Sequence, residues 1–493
     1  MNLARLAEAA GIAADNLPGG TVTGFAIDHR KVAPGTVFGA FRGAKFNGED
    51  FIPAAIAAGA IAIVARPEAI VEGTAHIADA QPRRAFARLA AQFFQPVPGT
   101  IVAVTGTNGK TSTVEMTRQL WRMAGERAAS IGTLGVTTPD ESVSTGLTTP
   151  DIVTFLSNMH GLAQEGVTHV AYEASSHGLS QYRVEGLKVA AGAFTNLSRD
   201  HLDYHATMED YFAAKMRLFD EVVEDGGAAV IWADDEWSDR AADHARRRGL
   251  KLLTVGEKGD GIRLVRRIPG QLGQDLDLEY DGAAFRVKLP LIGGYQAANA
   301  LVSAGLVLAT GGDARAVFDA LSRLQPVRGR LERAAISAAG APVYVDYAHT
   351  PDALEAAVAA LRPHVEGRLI TVFGAGGDRD TGKRAQMGRV AAQASDVVIV
   401  TDDNPRSEDP AAIRAMVLSG AEGAREIGDR RSAIAAAIAE AGPGDIVLIA
   451  GKGHEQGQII GAGDEMQILP FDDVGVAREC AGQGASSPSG GAA

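Results

Sequence analysis

The sequence predicts an α/β protein of three domains, with a central parallel sheet and a doubly wound C-terminal sheet. Three observations predict it. The chain has 493 residues, too many for one core. From about residue 98 onward, short apolar runs alternate with helical stretches, the pattern of a mainly parallel sheet. Those runs end in polar loops rich in Gly and Asp, and open α/β sheets bind their ligands at such strand ends.

Composition narrows the class. Hydrophobic residues make up 46% and charged residues 22%, as in a soluble globular protein. A formal net charge of −13 argues against non-specific binding of nucleic acid or an anionic membrane, so an anionic substrate requires a local cluster of Arg and Lys. The single cysteine, Cys480, excludes an internal disulfide and a cysteine zinc site, and its place near the C-terminus does not suit a catalytic thiol. "MNLARLAEAAGIAADNL" reads as an amphipathic helix rather than a signal peptide. No apolar stretch approaches the ~20 residues of a membrane span. A cytoplasmic enzyme is expected.

Residues 1–97 hold short strands and helices ("GFAID", "TVFGAF", "FIPAAIAAGAIAIVA") and close with a helix and a Pro-Gly linker in "AFARLAAQFFQPVPGT". Residues 98–326 open with "TIVAVTGTNGKTSTVEMTRQLW" and continue through the strands "THVAYEASS", "VAAGAFTNLS", "GAAVIWADD" and "KLLTV". Within them "IRLVRRI", "QDLDLEY" and "AAFRVKLPL" suggest a small antiparallel patch. Residues 327–480 repeat the alternation in "APVYVDYAHT", "RLITVFGAGGDRD", "DVVIVTDDNPR" and "GDIVLIAGKGHE", a Rossmann-like doubly wound pattern. The tail, 481–493, is low-complexity and expected to be disordered.

"VAVTGTNGKTS" carries the strongest signal, that of a P-loop ATPase. Gly106 and Gly109 let backbone N–H groups approach phosphates, with Thr107 and Asn108 between them. Lys110 reaches the β/γ oxygens and Thr111 offers a hydroxyl to Mg²⁺, ahead of a helix. The spacing departs from the usual Walker form, since Val104 stands six before Lys110, and a bare G-K-T also occurs as a chance turn. Two further strand ends follow, Glu173 in "YEASSHGL" and Asn196, Asp200 and His201 in "TNLSRDHLDYH". Together they can bring a carboxylate and an imidazole to Mg²⁺. For His177, His201 or His205 taken singly, a hydrogen-bonded structural role is the commoner fate. "ATMEDYFAAKMRLFD" starts at a Thr207 N-cap with Asp210 three residues on, and Lys215 lies on that helix, where position alone reads as a solvated surface charge.

Together "GTNGKTS", "YEASSHGL", "TNLSRDHLDYH", "YAHTPD", "GAGGDRD", "TDDNPR" and "GKGHE" resemble the Mur ligases, in motifs spread from about residue 27 to residue 455. The resemblance implies three domains: one for the UDP end of the substrate, a central ATPase, and a mobile C-terminal domain that brings the amino acid. It implies that ATP phosphorylates the D-Glu side-chain carboxylate of UDP-N-acetylmuramoyl-L-Ala-D-Glu. An amine of meso-2,6-diaminopimelate then attacks the acyl phosphate, and the tetrahedral intermediate expels phosphate. The ligase would act in peptidoglycan precursor synthesis, as a monomer.

The resemblance also assigns residues. Gly106 to Ser112 hold ATP, with Asn299 and Arg330 as further nucleotide contacts and Asp346 to His349 on the same side. Thr111, Glu173, His201 and Lys215 ligate metal, Lys215 as a carbamate made with CO₂. Lys110, Lys215 and His201 serve catalysis. Ile27, His29, Thr148, Thr149, Ser175, Gln181 and Arg183 hold the UDP-linked dipeptide. The sequence departs from the family pattern in three places: Asp28-His29-Arg30 replaces Asp-Ser-Arg, and Leu147 and Gln296 stand where Asn is common.

The loop "TDDNPRSEDP" bears on the choice of amino acid. Diaminopimelate carries a distal carboxylate that L-lysine lacks, and a guanidinium recognises a carboxylate with bidentate geometry. Arg406 suits that role beside Asp403, Asn404 and Pro405, and Arg379 suits a second carboxylate. Gly451 and Glu455 can take the distal ammonium. Alternatively, Arg406 caps a helix or pairs with Glu408 on the surface. Three other functions stand against the leading one: the same ligation with L-lysine, a folylpolyglutamate-synthase-like ligase, and a P-loop switch without ligase chemistry. The switch leaves "GGDRD", "DNPR" and "GKGHE" unexplained.

Overall fold

The structure is a computed structural model that describes all residues except 14–16, 18, 19, 44, 45, 139, 144–147, 202, 203, 271, 462 and 483–493. The expected disordered tail, beyond Ala481 and Gly482, and the Leu147 departure lie outside the described residues. The parallel sheets are built from α/β alternation, Gly457–Ile460 and Gln467–Pro470 form a separate antiparallel hairpin, and the chain forms two compact units.

The first unit comprises Met1–Arg263 and Asn299–Val317. Its N-terminal helix covers Leu3–Ala9 and is capped by the Asn2 side chain on Ala4 N; Leu3, Leu6 and Ala7 face inward. Four short parallel strands follow, in the order Gly24–Ala26, Thr36–Gly39, Ala62–Ala65, Ala75–Ala78. The helix Pro82–Phe93 then buries Phe86, Leu89 and Ala90. In the main sheet, Thr100–Thr105 lies between Val189–Phe194 and His169–Glu173, all parallel. Val223–Trp232 and Lys251–Gly256 extend one side. Ala128–Gly132 extends the other. One apolar core runs from Leu3 and Phe86 through Phe155 and Tyr172 to Leu250, so the N-terminal strands and the main sheet share an interior. The Arg84–Glu185 pair at 2.8 Å joins them at the surface.

The second unit comprises Leu264–Ala298 and Phe318–Ala493. Of the expected antiparallel patch, Gly273–Tyr280 and Ala283–Leu289 form a hairpin. The strand Ile262–Gly270, which holds "IRLVRRI", stands next to Gly273–Tyr280 in the sheet, and its first two residues pair parallel to Lys251–Gly256 through Val255↔Ile262 and Gly256↔Arg263. The C-terminal sheet has the order Glu332–Ile336, Pro342–Asp346, Ile446–Ala450, Leu369–Phe373, Val397–Val400, Arg425–Glu426. Only its first strand is antiparallel. Helices cover both faces: Leu354, Val358, Met387 and Ile413 pack on one side, Ile434, Ile438 and Val474 on the other. The strand ends at Asp346, Phe373, Val400 and Ala450 therefore open on one edge, and each leads into one of the motif loops.

Candidate active site

The candidate phosphate loop, residues 106–112, is shaped by close contacts that only glycine allows. Gly106 has φ +145°, and a Cβ there would lie 1.9 Å from Thr195 Oγ1. Gly109 has φ +85° and precedes the helix Lys110–Met123; a Cβ there would lie 2.3 Å from Asn299 Oδ1. Thr195 and Asn196, at the end of the neighbouring strand, fix the loop: Asn108 N donates to Asn196 Oδ1 at 2.9 Å and Thr195 Oγ1 donates to Asn108 O at 2.6 Å. No side chain caps the first turn of the helix, so its amide donors and positive dipole end suit an anion. Thr111 and Ser112 are buried in that turn.

Lys110 curls back on the loop, donating to Gly106 O at 3.0 Å and Thr107 O at 2.7 Å. Lys215 donates to the same Gly106 O at 2.7 Å. Its helix is capped as expected, with Thr207 Oγ1 accepting from Asp210 N. The surface reading of Lys215 is corrected: the residue is 1% exposed, because its side chain runs inward along Tyr211, whose ring centroid is 4.2 Å from Nζ. Burial, with Lys110 alongside, pulls the Lys215 amine well below the usual lysine range. A buried amine in that state is a nucleophile. An anion placed on it would stand beside the Lys110 ammonium, with which it shares the Gly106 carbonyl.

Glu173 ends its strand buried, its Oε1 accepting from Thr133 N at 2.7 Å. Thr148 lies 3.1 Å from Thr133 Oγ1, while Thr149 Oγ1 donates to Glu173 O at 2.8 Å. Ser175 N in turn donates to Thr149 Oγ1 at 3.1 Å. Arg183 Nη1 donates to Thr149 O at 2.9 Å, and its Nε and Nη2 donate to the Gln181 side-chain Oε1, so the proposed dipeptide residues form one connected group. His201 is exposed with φ +52°, 3.5 Å from Asp200, and its ring lies 4.9 Å from that of His177 and 6.0 Å from that of Tyr211. Among the described residues no group of three or more His, Cys, Asp or Glu side chains is placed to hold a metal. The oxygen donors of Thr111 and Glu173 are nevertheless of the hard type Mg²⁺ takes, and a carbamate on Lys215 would add an anionic one.

Ile27, Gln181 and Arg183 line a cavity of about 90 Å³ with Phe41, Arg83 and Asp151. His29 stands apart from its walls, stacked on Phe51 with ring centroids 4.4 Å apart. Beside it Asp28 pairs with Arg30 at 2.7 Å, and those hydrogen bonds hold the Asp28 carboxyl down at about 2.

In the second unit the motif loops interlock. A Cβ on Gly377 would lie 1.9 Å from Pro405 O, so "GGDRD" fits against "DNPR" only with glycine there. Arg406 is half-buried at φ +53°; its Nη1 donates to Gly377 O at 2.8 Å and Asn404 O at 3.4 Å. Among the described residues it has no carboxylate partner. The two alternatives for it fail: Glu408 is taken by the fully buried Arg384, at 2.7 Å, and the Pro410–Leu418 helix is capped by Asp409. Arg379 is exposed and donates to Asp378 O.

Asn404 and Glu455 meet, Nδ2 to Oε2, at 2.8 Å. Lys452, 0% exposed, joins them: Nζ donates to Asn404 Oδ1 at 2.8 Å and Glu455 Oε2 at 3.3 Å, with Asp403 at 3.9 Å. Gly451 has φ +118°, with Asp403 Oδ2 2.6 Å from where a Cβ would stand. Also in this unit, Arg330 lies over the Tyr347 ring, and its Nε is buried with no hydrogen-bond partner among the described residues. Tyr347 also contacts His349 and His454. Burial pushes the nearby Asp346 carboxyl up to about 6 and, with Arg330 close by, takes His454 down to about 4.

The residues that sequence reasoning missed are Lys452, the Arg384–Glu408 pair, Arg83 and the loop-shaping Thr195. Lys452 and Thr195 had a signal, their places inside "GKGHE" and "TNLSRDHLDYH".

Known proteins bear on this arrangement. Residues 21–94 match the Mur ligase family catalytic domain, 104–307 the Mur ligase middle domain and 329–453 the Mur ligase glutamate ligase domain. The chain is 63% identical over 458 residues to a UDP-N-acetylmuramoyl-L-alanyl-D-glutamate–2,6-diaminopimelate ligase of Zymomonas mobilis, covering 93% of this chain and 94% of that one. It is 55% identical to the enzyme of the same name from Bradyrhizobium diazoefficiens, over 92% and 93% of the two chains. A solved structure of a ligase of that name superposes with TM-score 0.72 at 35% identity, over 94% of this chain and 95% of the other. A Mycobacterium tuberculosis folylpolyglutamate synthase shares the fold over 75% of this chain and 91% of its own, with TM-score 0.60 at 20% identity. On these matches, which span its length, the chain belongs to the Mur ligase family.

Proposed function

We propose that this chain is the ATP-dependent ligase that joins diaminopimelate to UDP-N-acetylmuramoyl-L-Ala-D-Glu in peptidoglycan synthesis. The observation that carries the choice of amino acid is Arg406. It is a half-buried guanidinium held by carbonyls alone, beside an Asn404–Lys452–Glu455 network that is already paired. A distal carboxylate completes Arg406 with a bidentate pair, and Glu455 faces the distal ammonium. L-Lysine would leave the guanidinium without an anion.

The finer assignments belong to the same proposal. The first unit's main sheet is a P-loop ATPase core, and the C-terminal sheet is Rossmann-like. Domain limits of 1–97, 98–326 and 327–480 are supported by three family matches that fall one in each segment. Gly106 to Ser112 cradle the phosphates of ATP, with Asn299 bracing Gly109. In the second unit, the buried Arg330 Nε is a donor suited to an anionic or carbonyl oxygen of the nucleotide. Thr148, Thr149, Ser175, Gln181 and Arg183 hold the muramoyl dipeptide, with Ile27 and His29 toward the uridine. Arg379, Asp403, Pro405 and Gly451 complete the diaminopimelate loop. Thr111, Glu173, His201 and a carbamylated Lys215 would hold Mg²⁺, which supplies charge neutralisation for phosphoryl transfer. Lys110, freed from the Gly106 carbonyl, follows the moving phosphoryl group. We place the enzyme in the cytoplasm as a monomer; among the described residues no helix is long and apolar enough to cross a membrane.

The test is phosphate release with ATP, Mg²⁺ and UDP-N-acetylmuramoyl-L-Ala-D-Glu, adding meso-diaminopimelate or L-lysine in turn. Turnover that depends on diaminopimelate is expected. Equal or faster turnover with lysine overturns the amino-acid assignment.

A further inference from the structure

The small cavity in the first unit carries an unassigned feature. Two arginines, Arg83 and Arg183, line it together. Both are partly buried, and neither has a carboxylate within 4 Å among the described residues. Arg83 packs its guanidinium 4.9 Å from the Phe41 ring centroid and donates one bond, to Arg42 O at 3.1 Å. Arg183 spends its bonds on Thr149 O and the Gln181 side-chain Oε1. The one acidic wall residue, Asp151, is turned into its own helix: it accepts from Val153 N, Thr154 N and Thr154 Oγ1. Burial lowers both guanidinium pKa values, and for Arg83 the charge of Arg183 adds to it.

Two partly desolvated guanidinium groups face one cavity; the Asp151 charge favours Arg183, but its oxygens are bonded within its own helix, so an anion between the two arginines is favoured. The helix Pro82–Phe93 adds to this, since the Gln81 side chain accepts from Tyr182 Oη rather than capping the helix, and Arg83 stands in its first turn.

We infer that Arg83 is a binding residue for the diphosphate of the uridine diphosphate-linked substrate, acting across the cavity from Arg183. The inference rests on the proposed function, which puts Ile27 at the uridine end and Gln181 and Arg183 at the muramoyl end. The cavity has both sets in its walls, and the diphosphate is the group that connects those two ends. The competing view is that Arg83 is structural, holding Phe41 and the Arg42 carbonyl in place.

Titration calorimetry with UDP and with uridine, on the wild-type chain, Arg83→Gln and Arg83→Lys, separates the two. Loss of a charge-assisted contact weakens UDP by about tenfold or more in Arg83→Gln, with uridine unchanged and Arg83→Lys intermediate. In ligation assays the same variant raises KM for the UDP-linked dipeptide more than it lowers kcat. An equal loss for UDP and uridine, in either variant, means a structural role and overturns the inference; so does UDP affinity that does not fall. The ligand arms need no turnover, so failure of the ligase reading shows separately, as a wild-type chain that binds UDP but does not respond to diaminopimelate.

Discussion

The proposed phosphate loop of the first unit and the proposed amino-acid loops of the second handle charge in opposite ways. Around Gly106 two lysines converge on one carbonyl, with a dipole of like sign at the helix Lys110–Met123. Around Asn404 the charges are balanced before any ligand arrives: Lys452 against Glu455 and Asp403, Arg384 against Glu408, Arg430 against Asp473 at 2.7 Å. Arg406, half-buried, is bonded to carbonyls and to no carboxylate among the described residues. The first arrangement suits polyanions that differ little in shape and must be neutralised as charge moves. The second suits discrimination, because a largely balanced, interlocked frame leaves the half-buried Arg406 charge unmet to judge the ligand by.

The contrast can be broken at its extremes. The largest effect is expected at Lys215. Lys215→Ala should lower ligation by about 10³-fold, in the range seen when one transition-state charge stabiliser is removed. Short carboxylates added to the assay should restore part of it by standing in for the carbamate. Loss without any recovery would leave the lysine pair at Gly106 without its proposed resolution. A smaller effect is expected at Lys452. Lys452→Met removes the cation that balances Glu455 and Asp403 and should cost about 2–3 kcal/mol in denaturant unfolding, discounted because Glu455 is a third exposed. KM for diaminopimelate should rise more than KM for ATP. If stability holds and only the ATP parameter moves, the amino-acid frame is not pre-balanced in the way described.

The smallest effect concerns Asp346, whose carboxyl burial raises to about 6. A raised folded value favours the protonated form, so its contribution is fullest below the unfolded value near 3.8 and is lost as pH rises through about 6. The stability advantage of wild type over Asp346→Asn should therefore shrink between pH 4 and pH 7, by on the order of 2 kcal/mol. A pH-independent difference would mean that Asp346 stays ionised.

Much of this was readable in the linear sequence, for a physical reason. Phosphate loops and strand-end loops are made by contiguous residues, so "GTNGKTS", "GGDRD" and "DNPR" show their backbone demands directly, as Gly106 and Gly377 illustrate. The α/β class follows equally from local periodicity. What stayed hidden depends on which distant side chain arrives. Lys215 looks like a surface residue until the strand ending at Thr105 is placed beneath it. Arg83, in "QPRRAFARL", is one of several arginines on a helix, and only the fold sets it against Arg183. Glu408 looked available to Arg406 until Arg384, 22 residues earlier than Arg406, was found to hold it.

The account turns on Arg406 as the reader of the distal carboxylate. The most direct measurement is the ratio of kcat/KM for meso-diaminopimelate to that for L-lysine, in wild type and in Arg406→Ala. The account predicts a large ratio in wild type that falls by about 10²-fold or more in the variant, mainly through KM for diaminopimelate, as for loss of a buried ion-pair partner. A ratio that Arg406→Ala leaves unchanged, or a variant whose only defect is in KM for ATP, would contradict it.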